Sequence, residues 1–318
     1  MYSISVVDAF GRAWDGMVAR LFKPFNMGKW FALGFSAWLA GLMEGNGMSF
    51  PSSGDAGELQ SVYPHFTELW EKYHEWIIVG TIAAVMLILA LSILFLWLSA
   101  RGKFMFLRNT IDNTAKVSEP WHAYKVPASS YFWWQIGFGL IVIVLFAVIA
   151  GSAFLLLWPA IQHDTWTTTT ISLSAVLIFF FVMVMLTMFA VQLFMTDFIV
   201  PLMMKHHMPA NEAWSFFMPV FRHHLPQFTL YVLFLVVMYF VTAIAIIAGC
   251  ILTCCCLFIL IIIPYINAVV TLPISVLFRL LSIEYLRSFG PDYDLFTEAI
   301  PEPPALESGA GESIPSPS

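Results

Sequence analysis

Charge is what this chain has least of. Only 11% of its 318 residues are Asp, Glu, Lys or Arg, while 60% are hydrophobic, against roughly 25% and 45–50% in globular proteins. An ordinary water-soluble domain is thereby excluded, and no polar stretch is long enough to supply a second domain. Chemistry-bearing motifs are missing too. Gly45-Asn-Gly-Met lacks the Lys and Ser/Thr of a phosphate-binding loop. There is no Gly-x-Ser-x-Gly elbow, no His-Glu-x-x-His helix and no basic groove for nucleic acid. Accordingly no enzyme activity, cofactor, metal or nucleic-acid partner is expected. Nor is a cleavable secretory signal, because Asp8, Arg12 and Asp15 come before any apolar core could form.

What the chain does have is long uncharged runs. A helix rises about 1.5 Å per residue and the hydrocarbon core is about 30 Å thick, so one crossing takes roughly twenty residues. Runs at 77–97, 132–158 and 171–191 each supply one crossing. His223 to Phe278 holds no Asp, Glu, Lys or Arg over 56 residues, about 84 Å as a single helix, and so needs two. A break near Gly249 gives spans near 228–248 and 251–276, the second bent at Pro264 and Pro273, which remove backbone donors and clash with the preceding turn. Residues 27–43 are about the shortest run that can cross.

The basic residues argue for that first crossing. If it forms, thirteen of the fourteen Lys and Arg fall on one side: Arg12, Arg20, Lys23 and Lys29, then Arg101, Lys103, Arg108, Lys116 and Lys125, then Lys205 and Arg222, and finally Arg279 and Arg287. Only Lys72 lies opposite, in an outer loop crowded by Glu44, Asp55, Glu58, Glu68, Glu71 and Glu75. Without that crossing the split falls to nine against five. Lys and Arg collect on the cytoplasmic side, so the expectation is an all-α, polytopic bundle of about six transmembrane helices in a bacterial inner membrane, with both termini cytoplasmic.

Three cytoplasmic segments have helical periodicity. Ile4–Phe22 places Val7, Phe10, Trp14, Met17, Val18 and Leu21 on one face. Phe104, Leu107 and Ile111 follow the same rule, as do Ala213, Trp214, Phe217, Phe221 and Leu225. All three are expected to lie on the inner leaflet. Trp14, Trp121 and Trp214 mark these segments, each followed by an aromatic at the start of an outward span (Trp30, Tyr131 and Phe228), a pattern of three hairpins. Interfacial aromatic belts place Trp in the same way.

Cys250, Cys254, Cys255 and Cys256 are soft ligands by type. Their spacing lacks Cys-x-x-Cys pairs and their surroundings are apolar, so they are read as packing residues. His206–His207 and His223–His224 would have to fold together to chelate, and are read as interfacial. Asp197, four residues before Pro201, ends a thirty-residue uncharged run. An ionisable group there is costly unless partnered or wet. It is either ion-paired with Arg101 or Arg279, or a substrate- or proton-binding carboxylate beside a helix break. Gln135, Gln192 and Asn267 are uncharged counterparts that hydrogen-bond between helices or line a cavity. In Asp197, Pro201, Gln192, Asn267, Pro264 and Pro273 the chain has its candidate polar and helix-break positions.

Ala100-Arg-Gly-Lys-Phe-Met-Phe-Leu, Asp197-Phe-Ile-Val-Pro-Leu-Met-Met with Glu212-Ala-Trp after it, and Pro264-Tyr-Ile-Asn together resemble an uncharacterised bacterial multipass family. That family is similar to the membrane domain of membrane-bound glycerophosphodiester phosphodiesterases. The resemblance covers most of residues 1–290 and implies a membrane fold. It does not carry over the hydrolase activity, which belongs to a separate barrel absent from this sequence. Residues 1–290 are therefore expected to be one membrane domain. Residues 291–318, rich in Pro, Glu, Ser and Gly, are expected to be a disordered cytoplasmic tail. The functional expectation is a non-enzymatic membrane module that organises membrane lipid or a protein partner, a second copy included. The alternative is a small transporter or channel for a lipid-like or small solute, with Asp197–Pro201 and Pro264–Pro273 as broken elements.

Overall fold

The computed structural model describes residues 5–42, 56–114, 117–162, 167–253 and 263–296, and within 56–73 the backbone alone. Every element among them is helical. In chain order they are α1 (Val6–Leu21), α2 (Met27–Gly41), α3 (Ala56–Asp112), α4 (Ser118–Ala123), α5 (Lys125–Gln162) and α6 (Thr168–Phe194). A π-turn (Met195–Ile199) joins α6 to α7 (Val200–His206), and α8 (Ala210–His223), α9 (Leu225–Leu252), α10 (Pro264–Val270), α11 (Leu272–Arg287) and a 3-10 turn (Pro291–Tyr293) follow. Side-chain caps start several of them. Ser5 accepts from the Asp8 N–H at 3.2 Å, Asn26 from Lys29 at 3.2 Å and Thr167 from Thr170 at 3.3 Å, each satisfying a donor the helix itself leaves free.

Four helices are long and apolar enough to cross a membrane: His74–Asp112 of α3, α5, the rod from Thr168 to His206, and α9. A fifth results if α10 and α11, bent 62° apart, count together. This is a membrane protein by composition and helix length. α2 is shorter, 15 residues or about 22 Å. Its start lies beside Asn113, which accepts from Lys29 Nζ, and its end beside Ser99, whose hydroxyl donates to the Ala40 carbonyl at 2.9 Å. α2 therefore runs antiparallel to the basic end of α3, not to its apolar middle.

The core sits at that end. In the most apolar stretch of the three longest candidates no residue is buried, and in α9 11% of the stretch is. The closed packing is built instead from Ala100, Phe104 and Leu107 of α3, Tyr131 of α5, Met195–Met204, Phe217 of α8, Phe228 and Tyr231 of α9, and most of α11. Basic residues gather around it. Arg12 Nε meets Glu284 at 2.8 Å, Lys205 Nζ donates to the carbonyls of Pro291 and Asp294 at 2.7 and 2.8 Å, and Arg287 donates to Asp294 at 3.1 Å.

Several sequence expectations change here. Phe104 and Leu107, expected against lipid, are buried core, because α3 continues unbroken to Asp112 and other helices pack on it. Ala213 and Phe217 are likewise buried beneath α8. In α1 the face that meets α11 is Val6, Ala9, Ala13, Met17 and Leu21, while Val7 and Trp14 point outward. Small alanines in the middle of that face let the two axes approach. The interval read as an outer loop is helical from Ala56, and Gly249 lies inside α9, which ends at Leu252. Glu44, Asp55 and Cys254–Cys256 lie outside the described residues.

The tail boundary also moves. Tyr293 and Leu295 are buried, Tyr293 against Phe216 at 5.4 Å, and Phe296 sits under the guanidinium groups of Arg20 and Arg287. Burial, with Asp292 beside it, pushes the Tyr293 phenol up, so the ring packs in its neutral form. Cation–π contact and the Lys205 and Arg287 bonds outweigh the weak packing capacity that composition implies for this segment. Residues 297–318 lie outside the described residues.

Two glycines permit the tightest helix crossings. A Cβ on Gly102 would lie 2.6 Å from the backbone of Leu39 and Ala40, and one on Gly34 2.6 Å from the Val269 side chain. Gly137, in α5, has nothing within 4 Å. Gly102→Ala should therefore destabilise by about 1–3 kcal/mol, since a backbone cannot give way cheaply. Gly137→Ala should be neutral or stabilise by up to about 1 kcal/mol. Thermal unfolding in detergent checks both; equal midpoints for the two variants would contradict the crossing.

Candidate polar cavity

The helix carrying Asp197 changes its hydrogen-bond ladder one turn before Pro201. The Val200 N–H bonds to the Met195 carbonyl, five residues back. Pro201 has no N–H to give the Asp197 carbonyl, and its ring would clash there, which is the physical reason for the wider turn. The extra residue turns Thr196 and Asp197 into a gap between α2, α9 and α11, where they line a cavity of about 290 Å³.

The floor of this cavity is polar. Asp197 Oδ2 accepts from the Tyr231 hydroxyl at 3.0 Å, and Arg279 Nη1 donates to the Thr196 carbonyl at 2.7 Å. Tyr231 is fully buried and stacked on Tyr285 at 4.7 Å, which holds its hydroxyl in place. The Thr196 hydroxyl oxygen is buried and has no hydrogen-bond partner among the described residues, a state that costs free energy unless something in the cavity bonds to it. Thr271 and Ser275 also line the space, although their hydroxyls donate to carbonyls four residues back.

The walls are apolar. Ala37, Ala40 and Gly41 of α2 close one side, Phe106 of α3 another. Along α9 the lining runs from Tyr239 through Thr242 to Ile246, facing Ile274 and Phe278 of α11. Tyr239 stacks on Phe278 at 4.7 Å and is 51% exposed, so it stands at the rim. Beyond that stack α10 turns away toward α2, where Gly34 meets Val269 and the Phe31 carbonyl accepts from Tyr265. On α9 the lining ends at Ile246, next to the exposed Phe240, Ile244 and Ile247.

Of the two arginines considered for Asp197, Arg279 shares its cavity. Arg101 does not, being stacked between Trp97 at 4.5 Å and Trp121 at 5.1 Å and donating to the Trp121 carbonyl. Pro201 is buried just past the π-turn, Pro264 opens α10, and Pro273 lies in the first turn of α11, against Trp14 and Phe22 in a separate groove. Gln192 is half-buried on α6 and Asn267 sits on α10 with its carbonyl accepting from Thr271. Neither lines the cavity. Gln135 donates to the Tyr131 hydroxyl at 2.9 Å, which also accepts from the buried Lys103 at 2.6 Å. His206–His207 and His223–His224 stand at opposite ends of α8, and no group of three metal-ligating side chains occurs among the described residues.

Sequence reasoning missed Tyr231, Tyr239, Thr242 and Thr196. A signal existed, since Tyr231, Tyr239 and Thr242 are spaced by eight and three residues, which puts them on one face of α9.

The chain belongs to a family of unknown function, DUF7544, matched over residues 4–289. No curated protein and no solved structure matches it. Family membership thus adds extent without adding an activity, since the match takes in every element that builds the cavity.

Tyr231→Phe removes a buried hydrogen bond to a carboxylate and should destabilise by about 1–3 kcal/mol. In a double-mutant cycle with Asp197→Asn the two losses should be strongly non-additive. Additive losses in thermal unfolding would dissolve the pairing.

Proposed function

We propose that this chain is a non-enzymatic module of a bacterial cytoplasmic membrane that binds and organises lipid. One observation carries the reading. The cavity has a charged floor next to the basic end of the bundle and an apolar wall that reaches Ile246 beside the exposed Phe240, Ile244 and Ile247 of α9, the profile of a headgroup and the start of a chain. The exposed Val7, Trp14, Phe22 and Phe25 around α1 give further apolar surface at the same end.

In this reading there are six spans with both termini cytoplasmic. The thirteen-to-one split of Lys and Arg supports it, and so does the threefold series of a short helix, an outward helix and a return. α1, α2 and α3 form one such unit, α4 to α7 the next, and α8 to α11 the third. α2 holds the place of α5 and α9 in that series. The series also fits the hairpin repeat marked by Trp14, Trp121 and Trp214.

A transporter for a lipid-like or small solute is the second reading. The π-turn at Asp197 and the 62° bend at Thr271 favour it, because broken helices flank substrate sites in transporters.

Reporter fusions at Ser53 and Gln162 should behave as extracytoplasmic, and those at Ala128, Ala210 and Ser308 as cytoplasmic; a cytoplasmic signal at Ser53 would remove α2 from the spans. Mass spectrometry of the purified chain should find phospholipid retained in about stoichiometric amount. A water-soluble solute in its place would favour the transporter.

A further inference from the structure

We propose that the cavity selects a zwitterionic headgroup, carrying a phosphate and an ammonium, over an anionic one; this rests on the lipid-binding reading above. Arg279 and Asp197 line the same space, so its formal charges cancel. A lone anion would gain from the guanidinium and lose to the carboxylate, whereas a zwitterion meets both with the matching sign.

The donors and acceptors sort in the same way. A guanidinium offers five N–H donors in a fork that suits phosphate oxygens, and the described bond of Arg279 to the Thr196 carbonyl uses Nη1. The buried Thr196 hydroxyl, without a partner among the described residues, adds a second donor within the same turn. A phosphate oxygen between these groups would satisfy both. On the other side, a carboxylate can accept several hydrogen bonds, and the Tyr231 hydroxyl orients Asp197 through Oδ2. An ammonium held there would donate to the carboxylate.

The remaining shape specifies where the acyl chains go. The Tyr239–Phe278 stack marks the rim. Past it, Thr242 and Ile246 lead to a stretch of α9 where Phe240, Ile244 and Ile247 are more than half exposed. Chains leaving the headgroup there would enter the bilayer directly, so the lipid need not be extracted from its leaflet.

The test uses the full-length chain, delipidated in detergent and titrated with dioctanoyl phosphatidylethanolamine and dioctanoyl phosphatidylglycerol, which share their chains and differ in headgroup charge. The ethanolamine lipid should bind at least about tenfold more tightly. Asp197→Asn should remove most of that preference, and Arg279→Gln should weaken both lipids. Equal affinities in the wild type, or a preference untouched by Asp197→Asn, would overturn the zwitterion while leaving lipid binding intact. The wild-type comparison stands even if a variant fails to fold. Saturable binding of neither lipid would overturn the lipid reading itself. Soluble phosphoethanolamine, as a third arm, should bind far more weakly than the lipid. An equal affinity would uphold the zwitterion but replace the lipid with a small solute.

Discussion

Lipid tails are as apolar as leucine, so burying one span against another gains little hydrophobic free energy inside a bilayer. The whole structure follows from that constraint. The apolar stretches of α3, α5, the α6–α7 rod and α9 are almost entirely unburied, and the helices pack closely at the basic end of the bundle. There α1, α8 and α11 supply apolar faces that close the core. Length makes this feasible, since 39 residues reach about 58 Å, nearly twice the hydrocarbon thickness. The surplus becomes the core.

A core at the interface has to accommodate charge, and the contacts show how. Arg12 reaches Glu284, Lys29 reaches Asn113 and the Arg20 carbonyl, and Lys205 and Arg287 hold residues 291–294. Two of these, Lys29 and Lys205, reach backbone carbonyls instead of carboxylates. Phe296 under Arg20 and Arg287 extends the same solution to an aromatic ring. The basic residues therefore fasten the first and last described elements to the core.

The polar cavity comes from two departures from regular helix that meet. Pro201 widens the ladder at Met195–Ile199 and turns Thr196 and Asp197 inward, and the 62° bend before Pro273 opens space beside Arg279. Either defect alone would be a local irregularity. Packed directly against each other beside α9, they bring a carboxylate, a guanidinium and a hydroxyl with no partner among the described residues into one space.

Much of this was determined by sequence. Long uncharged runs set where helices long and apolar enough to cross a membrane form, because bilayer thickness sets that length without reference to neighbours. Asp197 and its proline stood out by isolation alone. What tertiary structure decided was direction. Val7 and Val6 are equally apolar, yet only Val6 faces α11, because the choice depends on how closely Ala9 and Ala13 let that helix approach. Arg101 and Arg279 were equal partners for Asp197 by topology, until the indoles of Trp97 and Trp121 took Arg101. Phe104 and Leu107 have the periodicity of a lipid-facing helix, and only the helices packed on them make them core. Periodicity records that a face is apolar; whether lipid or protein covers it depends on elements distant in sequence.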